Sequence, residues 1–207
     1  NNMLKYIRTY KNAIPEDLCK EFINYMDTNS DKIITSKINT GEEANDYRNS
    51  ESIFIPRRNC LISQILYDKL TDIMYNKCLK QYTKDIDSIF FICDTFKLSH
   101  EYPAILKYKQ NHGFYKIHVD NFSFESSMRV FSAVIYLNDV DVGGETYFTE
   151  LKIRCKPEMG KVLIFPSNLS YPHLAFTPKS NTKYCIVWWF TYKGNDINTI
   201  FNREIMD

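Results

Sequence analysis

Apolar and polar positions alternate in two different rhythms along this chain. In "IPEDLCKEFINYMDTN", Leu18, Phe22, Tyr25 and Met26 recur at helical spacing, Pro15 stands near the start, and Glu16 and Asp17 fill the first turn. That pattern predicts an amphipathic helix with favourable charge at its positive end. A second helix is predicted from Asn59 to about Tyr82, where Leu61, Ile65, Leu66, Leu70, Ile73, Met74 and Leu79 form the apolar stripe. Between them, residues 30–52 read "SDKIITSKINTGEEANDYRNSES". A polar connection of this length is either a lid or binding loop, or a plain surface insertion.

From about Ser88 the period shortens to two. "SIFFICDTFKL", "AILKYK", "FYKIHVD", "RVFSAVIYLN", "ETYF", "LKIRC", "KVLIF" and "KYCIVWWFTY" are β-branched and aromatic, with turn residues between them. "DVGGET" is a hairpin-type turn in which glycines supply positive φ. So many short strands predict a closed barrel, a sandwich or a jelly roll, preceded by helices, an α+β arrangement. The expected organisation is a single domain over 3–207, helical over about 3–87 and jelly-roll over about 88–193; Asn1 and Asn2, which precede a Met, are set aside.

Composition narrows the picture. The chain has 207 residues, a net charge of +1, and 44% hydrophobic and 15% aromatic residues. This is enough for a sizeable core, with no basic excess to suggest nucleic acid. No apolar run approaches the ~20 residues of a membrane helix, and no signal peptide opens the chain. The six cysteines include no CxxC pair, so they are expected to be reduced and mostly buried, in a cytoplasmic protein. Abundant Asn, Ile, Lys and Tyr hint at an AT-rich microbial or viral genome.

Candidate chemistry begins at "FYKIHVDNF". On a strand, His118 and Asp120 point to one face about 7 Å apart, close enough to grip one ion. Burying both without a partner would cost several kcal/mol. "SYPHLAF" supplies a third ligand, His173, 53 residues after Asp120. Two histidines and a carboxylate form a facial triad that leaves coordination positions open for Fe(II) and dioxygen. The same ligands would also suit a zinc hydrolase, although no HExxH-like general base accompanies them. Ten residues on, Lys183 opens a buried-looking strand and calls for an anion. A dicarboxylate whose other end chelates the metal would provide one.

These motifs, in "YKQNHGFYKIHVD", "RVFSAVIYLNDVDVGGETYF" and "GKVLIFPSNLSYPHLAFTPKSNTKYCIVWW", resemble the iron- and 2-oxoglutarate-dependent prolyl 4-hydroxylase family, from about Ile105 to Phe190. The resemblance implies a double-stranded β-helix core. It puts His118, Asp120 and His173 on the iron ligands, and Lys183, Tyr136 and Tyr108 in the 2-oxoglutarate pocket. Tyr115, Arg129 and Trp189 resemble residues that hold the target proline. The implied reaction hydroxylates peptidyl proline at C4, consumes O2 and 2-oxoglutarate, and releases succinate and CO2. Ascorbate is the expected reductant, and a proline-containing peptide or protein the expected partner. A free amino acid or other non-prolyl substrate, and a binding module that kept the barrel without turnover, are the alternatives. Only one of Trp188 and Trp189 can face the site. His100 and His112 are expected on the surface. Thr146 is weighed as a contact to the cosubstrate but given no role, and residues 165–168 read as a strand end and turn.

Overall fold

The computed structural model describes residues 2–35, 46–57, 60–86 and 98–192. Two antiparallel sheets face each other, and helices cover the outer face of one of them. The major sheet contains β1 (Arg8–Tyr10), β2 (Ile34–Thr35), β4 (Glu51–Phe54), β5 (Leu98–His100), β6 (Ala104–Tyr108), β8 (Arg129–Tyr136), β11 (Val162–Pro166) and β13 (Lys183–Tyr192). Their order is β1-β11-β8-β13-β6-β4-β2, with β5 paired to β13. The minor sheet runs β10-β9-β12-β7-β3, from β3 (Arg48–Asn49), β7 (Phe114–His118), β9 (Thr146–Phe148), β10 (Ile153–Cys155) and β12 (His173–Ala175). Mostly antiparallel sheets with flanking helices are the expected jelly roll. The stretch read as helical is more mixed, because residues 8–54 also contribute β1 to β4. Strands of two to four residues are too short to show a period and form by pairing with longer neighbours.

Helix α1 (Glu16–Thr28) follows Pro15 and buries Leu18, Cys19, Phe22, Tyr25 and Met26. Helix α2 (Leu61–Ile73) is capped by Cys60, whose thiol accepts from the Ser63 N–H. It runs through a π-helical segment, Met74–Leu79, into α3 (Lys80–Asp85). Most of the predicted strand at 88–98 lies outside the described residues, as do residues 36–45 of the polar connection. Cys93 does too; the five other cysteines are free, and all but Cys60 are buried.

The central strands are buried on both faces, which explains why they read as unbroken apolar runs. On β8, Phe131, Ala133 and Ile135 join the cluster under the helices, while Val134 and Tyr136 join the cluster between the sheets. On β13, Ile186, Trp188 and Phe190 face the helices, whereas Cys185 faces the interior. A polar bolt reinforces this packing: Asp27 of α1 accepts from Lys107 at 2.9 Å and from the Tyr184 hydroxyl at 3.1 Å.

His100 is not a surface residue. Its two ring nitrogens meet the hydroxyls of Tyr67 and Tyr75, both from the helical layer, and its ring lies edge-on to Trp188 at 5.0 Å. Turn-like neighbours in "LSHEY" disguised it, but pairing of β5 with β13 carries it beneath α2. Burial pushes its pKa down to about 4. The folded state therefore favours the neutral ring, and this stability is complete above about pH 6.5 and lost as pH falls toward 4. Chemical denaturation from pH 7 to 4 should show a flatter loss of stability in His100→Gln than in the wild type, by about 3 kcal/mol across the window. Parallel curves would mean that His100 titrates alike folded and unfolded.

Candidate active site

The site is assembled where β7 and β12 lie side by side. Their pairing sets His118 directly opposite His173, and Asp120 follows the end of β7, its N–H donating to the Ser167 carbonyl at 3.2 Å. The Nε2 atoms of His118 and His173 stand 3.5 and 3.8 Å from Asp120 Oδ1. One ligand atom from each of the three residues falls within a 4.8 Å cluster.

The outer hydrogen bonds of the imidazoles set their protonation. His118 Nδ1 meets the Lys116 carbonyl at 2.8 Å, and His173 Nδ1 meets the Tyr171 carbonyl at 3.0 Å. A carbonyl only accepts, so each Nδ1 carries the proton and each Nε2 turns a lone pair inward. Burial pushes the His173 pKa down to about 4 against the attraction of Asp120, so the ring is neutral at pH 7. Burial alone would raise the Asp120 pKa, but His173, His118 and the Ser132 hydroxyl together hold it below the usual carboxylate range. The inward-facing Nε2 atoms and the Asp120 carboxylate thus converge on one point. That donor set fits a divalent cation with N and O ligands, either Fe(II) in a facial triad or zinc.

Three groups brace this arrangement. Ser132 on β8 donates to Asp120 Oδ2 at 2.5 Å and meets Ser167 Oγ at 2.8 Å. Tyr115 stacks on the His118 ring at 3.6 Å, nearly parallel, and the Arg48 guanidinium covers Tyr115 at 4.6 Å. Arg129 donates to the Asp120 carbonyl at 3.0 Å.

The triad opens into a cavity of about 250 Å³. Its deep walls include Lys183, Thr146, Tyr108 and Cys185, all buried. Lys183 is 1% exposed, donates to the neutral Gly144 carbonyl at 2.8 Å, and lies near the rings of Tyr108 and Tyr136. Burial lowers its pKa, and an anion entering the cavity would stabilise the ammonium. Gly144, at φ +74, belongs to the "GGET" turn and aims that carbonyl at Lys183. Tyr136 is not among the residues lining the cavity. Fully buried, its hydroxyl meets the Thr146 hydroxyl at 2.8 Å, and Thr146 forms the wall.

Toward solvent the lining changes to Arg48, Tyr115, Phe122, Arg129 and Trp189. Trp188 points away, buried beneath the helices, so the paired tryptophans divide between the two faces of β13. The Arg129 guanidinium lies 3.7 Å from the Trp189 ring centroid and is gripped bidentately by Glu101 at 2.7 and 2.8 Å. Among the candidates from sequence, Tyr136 alone fails to reach the cavity. Thr146, weighed but given no role, lines the wall, and Ser132, Ser167, Arg48 and Glu101 were missed. A serine on the interior face of "RVFSAVIYL" is the one readable signal, because a buried hydroxyl there needs a partner.

Comparison with known proteins finds likeness in sequence and in fold. Residues 103–191 match the family model of the 2OG-Fe(II) oxygenase superfamily. An Acanthamoeba polyphaga mimivirus protein named "Putative prolyl 4-hydroxylase" is 24% identical over 199 residues, covering 86% of this chain and 71% of its own length. Several solved structures share the fold. A Pseudomonas putida prolyl-4-hydroxylase is 17% identical, with a TM-score of 0.66 over 91% of this chain and 94% of its own. A viral collagen prolyl hydroxylase from Paramecium Bursaria Chlorella virus-1, solved with 2OG, is 19% identical, with a TM-score of 0.66 over 91% and 97%. A Trichoplax adhaerens prolyl hydroxylase, solved with a hypoxia inducible factor peptide fragment, is 16% identical, with a TM-score of 0.68 over 92% and 88%.

The Ser132 hydroxyl fixes one oxygen of Asp120 and leaves the other for a metal. Ser132→Ala should therefore weaken Fe(II) or Co(II) affinity roughly 10- to 100-fold in an anaerobic calorimetric titration. Unchanged affinity would show that Asp120 needs no such support.

Proposed function

We propose that this prolyl 4-hydroxylase-like 2OG-Fe(II) oxygenase hydroxylates peptidyl proline, at C4, and releases succinate and CO2. His118, Asp120 and His173 would hold Fe(II). Bound there, the metal supplies the O2 activation that couples oxidative decarboxylation of 2-oxoglutarate to hydroxylation of a C–H bond. The chain's own groups bind, orient and shield. Lys183 forms charge-assisted bonds to the distal carboxylate of 2-oxoglutarate, with Thr146 beside it and Tyr108 along the wall. Tyr136 acts through Thr146, holding that hydroxyl toward the cavity. Ascorbate is the reductant that would keep the iron ferrous between turnovers.

The observation that carries this reading is one continuous cavity with a buried carboxylate and two imidazoles on one wall and a buried lysine on another. A metal-chelating keto diacid matches both ends, whereas hydrolysis would leave Lys183 without a role. A peptide substrate is favoured at the mouth. Arg129 has its charge already met by Glu101, so it suits a peptide carbonyl better than the carboxylate of a free amino acid. Trp189 and Tyr115 offer flat faces to a pyrrolidine ring. No described helix is long and apolar enough to cross a membrane.

Incubation with Fe(II), 2-oxoglutarate, ascorbate and proline-containing peptides should yield succinate together with a one-oxygen mass gain on proline. Asp120→Ala should abolish both. Lys183→Ala should raise the KM for 2-oxoglutarate roughly 10- to 100-fold, as expected for losing a hydrogen bond to a charged group. Trp189→Ala should impair peptide use more than peptide-independent 2-oxoglutarate decay. Succinate release without peptide modification across a broad proline set would overturn the prolyl assignment, and full activity of Asp120→Ala would overturn the site itself.

A further inference from the structure

The head of α2 holds a thiol that the chemistry above does not use. Cys60 occupies the N-cap, where serine, threonine, aspartate or asparagine ordinarily supplies an oxygen to the first turn. Sulfur is a weaker acceptor. It sits 3.4 Å from the Ser63 nitrogen and 3.4 Å from Ser63 Oγ, and the Ile62 N–H also reaches it. Ser63 Oγ accepts from the Cys60 N–H at 3.1 Å and donates to the Cys60 carbonyl at 2.9 Å, which closes the frame around the thiol. Cys60 is nonetheless exposed, whereas the other described cysteines are buried.

On α1, the Tyr25 hydroxyl is the one buried side-chain polar atom among the described residues without a hydrogen-bond partner. Tyr25 is 3% exposed, and its hydroxyl lies beside Ser63 and within the field of the Cys60 sulfur. A buried hydroxyl left unpaired is unfavourable, so this one calls for an acceptor that the bare thiol does not supply. Both sides of the cap therefore lack the same thing, an oxygen carried on sulfur.

We propose that Cys60 is a peroxide-sensitive modification site, oxidised by hydrogen peroxide or an organic hydroperoxide to a sulfenic acid whose oxygen is held by the first turn of α2 and the Tyr25 hydroxyl. The Cys60 thiolate attacks one peroxide oxygen. The S–O bond forms as the O–O bond breaks, sulfur gives up two electrons, and the departing hydroxide or alkoxide takes a proton from solvent. Ser63, through its hydroxyl and its N–H, lowers the thiol's pKa, with the Ile62 N–H and Lys32 adding to it, and so raises the share of thiolate. Burial does the opposite elsewhere, pushing Cys19 and Cys78 up to about 11. The site lies in the helical layer outside the major sheet, apart from the triad's cavity, and does not rest on the prolyl reading.

The test treats the full-length chain, with a chelator present, with hydrogen peroxide at pH 7, traps sulfenic acid with dimedone and maps it by mass spectrometry over time. Cys60 should be labelled first among the cysteines, and roughly 3- to 10-fold faster than in a peptide spanning residues 57–66. Dimedone added at intervals after the peroxide is removed reads the lifetime of the sulfenic acid. Tyr25→Phe, which keeps the ring and removes the hydroxyl, should shorten that lifetime roughly 5-fold, as expected for losing one hydrogen bond. Cys60→Ser, which keeps an oxygen at the cap, should lose the label. Labelling of Cys60 no faster than the peptide, or equal lifetimes in the wild type and Tyr25→Phe, overturns the proposal. So does a Cys60-linked disulfide dimer formed in place of the trapped sulfenic acid.

Discussion

Three lone-pair-bearing atoms are forced together inside the barrel, and the surrounding structure is arranged around that electrostatic demand. The two imidazole Nε2 atoms stand 3.5 and 3.8 Å from Asp120 Oδ1 in a dry interior. The imidazole Nδ1–H donors are committed to the Lys116 and Tyr171 carbonyls, so the Nε2 atoms are the ones turned inward. That donor set would suit a divalent cation, and the cross-strand register of His118 and His173 lets a short sheet present it. The 2OG-Fe(II) oxygenase match adds the chemistry that such a centre carries.

A second constraint follows from β8 and β13 being buried on both faces. Each passes one set of side chains to the helical layer and the other to the cavity, so the same hydrogen-bonded ladder that stacks Phe131, Trp188 and Phe190 under the helices also sets the position of Ser132, Lys183 and Trp189. Glu101 joins the two sides: its carbonyl accepts from the Trp188 indole N–H, while its carboxylate grips Arg129 at the mouth. Changes in the helical core should therefore reach the site as shifts of register and rotamer, without touching a ligand.

Legibility in the sequence followed the range of the interaction. His118 and Asp120 are related by the two-residue period of a strand, and the alternation of Trp188 and Trp189 by the same rule, so both could be read locally. Lys183 stood out because a charge in an apolar run needs a partner. Ser132 to Asp120, Glu101 to Arg129 and Arg48 to Tyr115 join segments distant in sequence, and depend on a packing that no local pattern encodes. His100 was misjudged for that reason, its polar neighbours masking a strand that pairs under α2. Tyr136 and Thr146 show a finer limit: both lie on interior faces, and only the packed cavity decides which hydroxyl forms the wall and which supports it.

The central claim is that metal and keto diacid share one cavity between the triad and Lys183. An anaerobic titration of the protein with Fe(II), followed by 2-oxoglutarate and monitored by visible absorption, tests it directly. The account predicts a charge-transfer band that appears only when both are present, saturates at one of each per chain, and is absent when His173 is replaced by Ala. Tight binding of 2-oxoglutarate with no dependence on the metal, or a metal that binds equally well without His173, would contradict it.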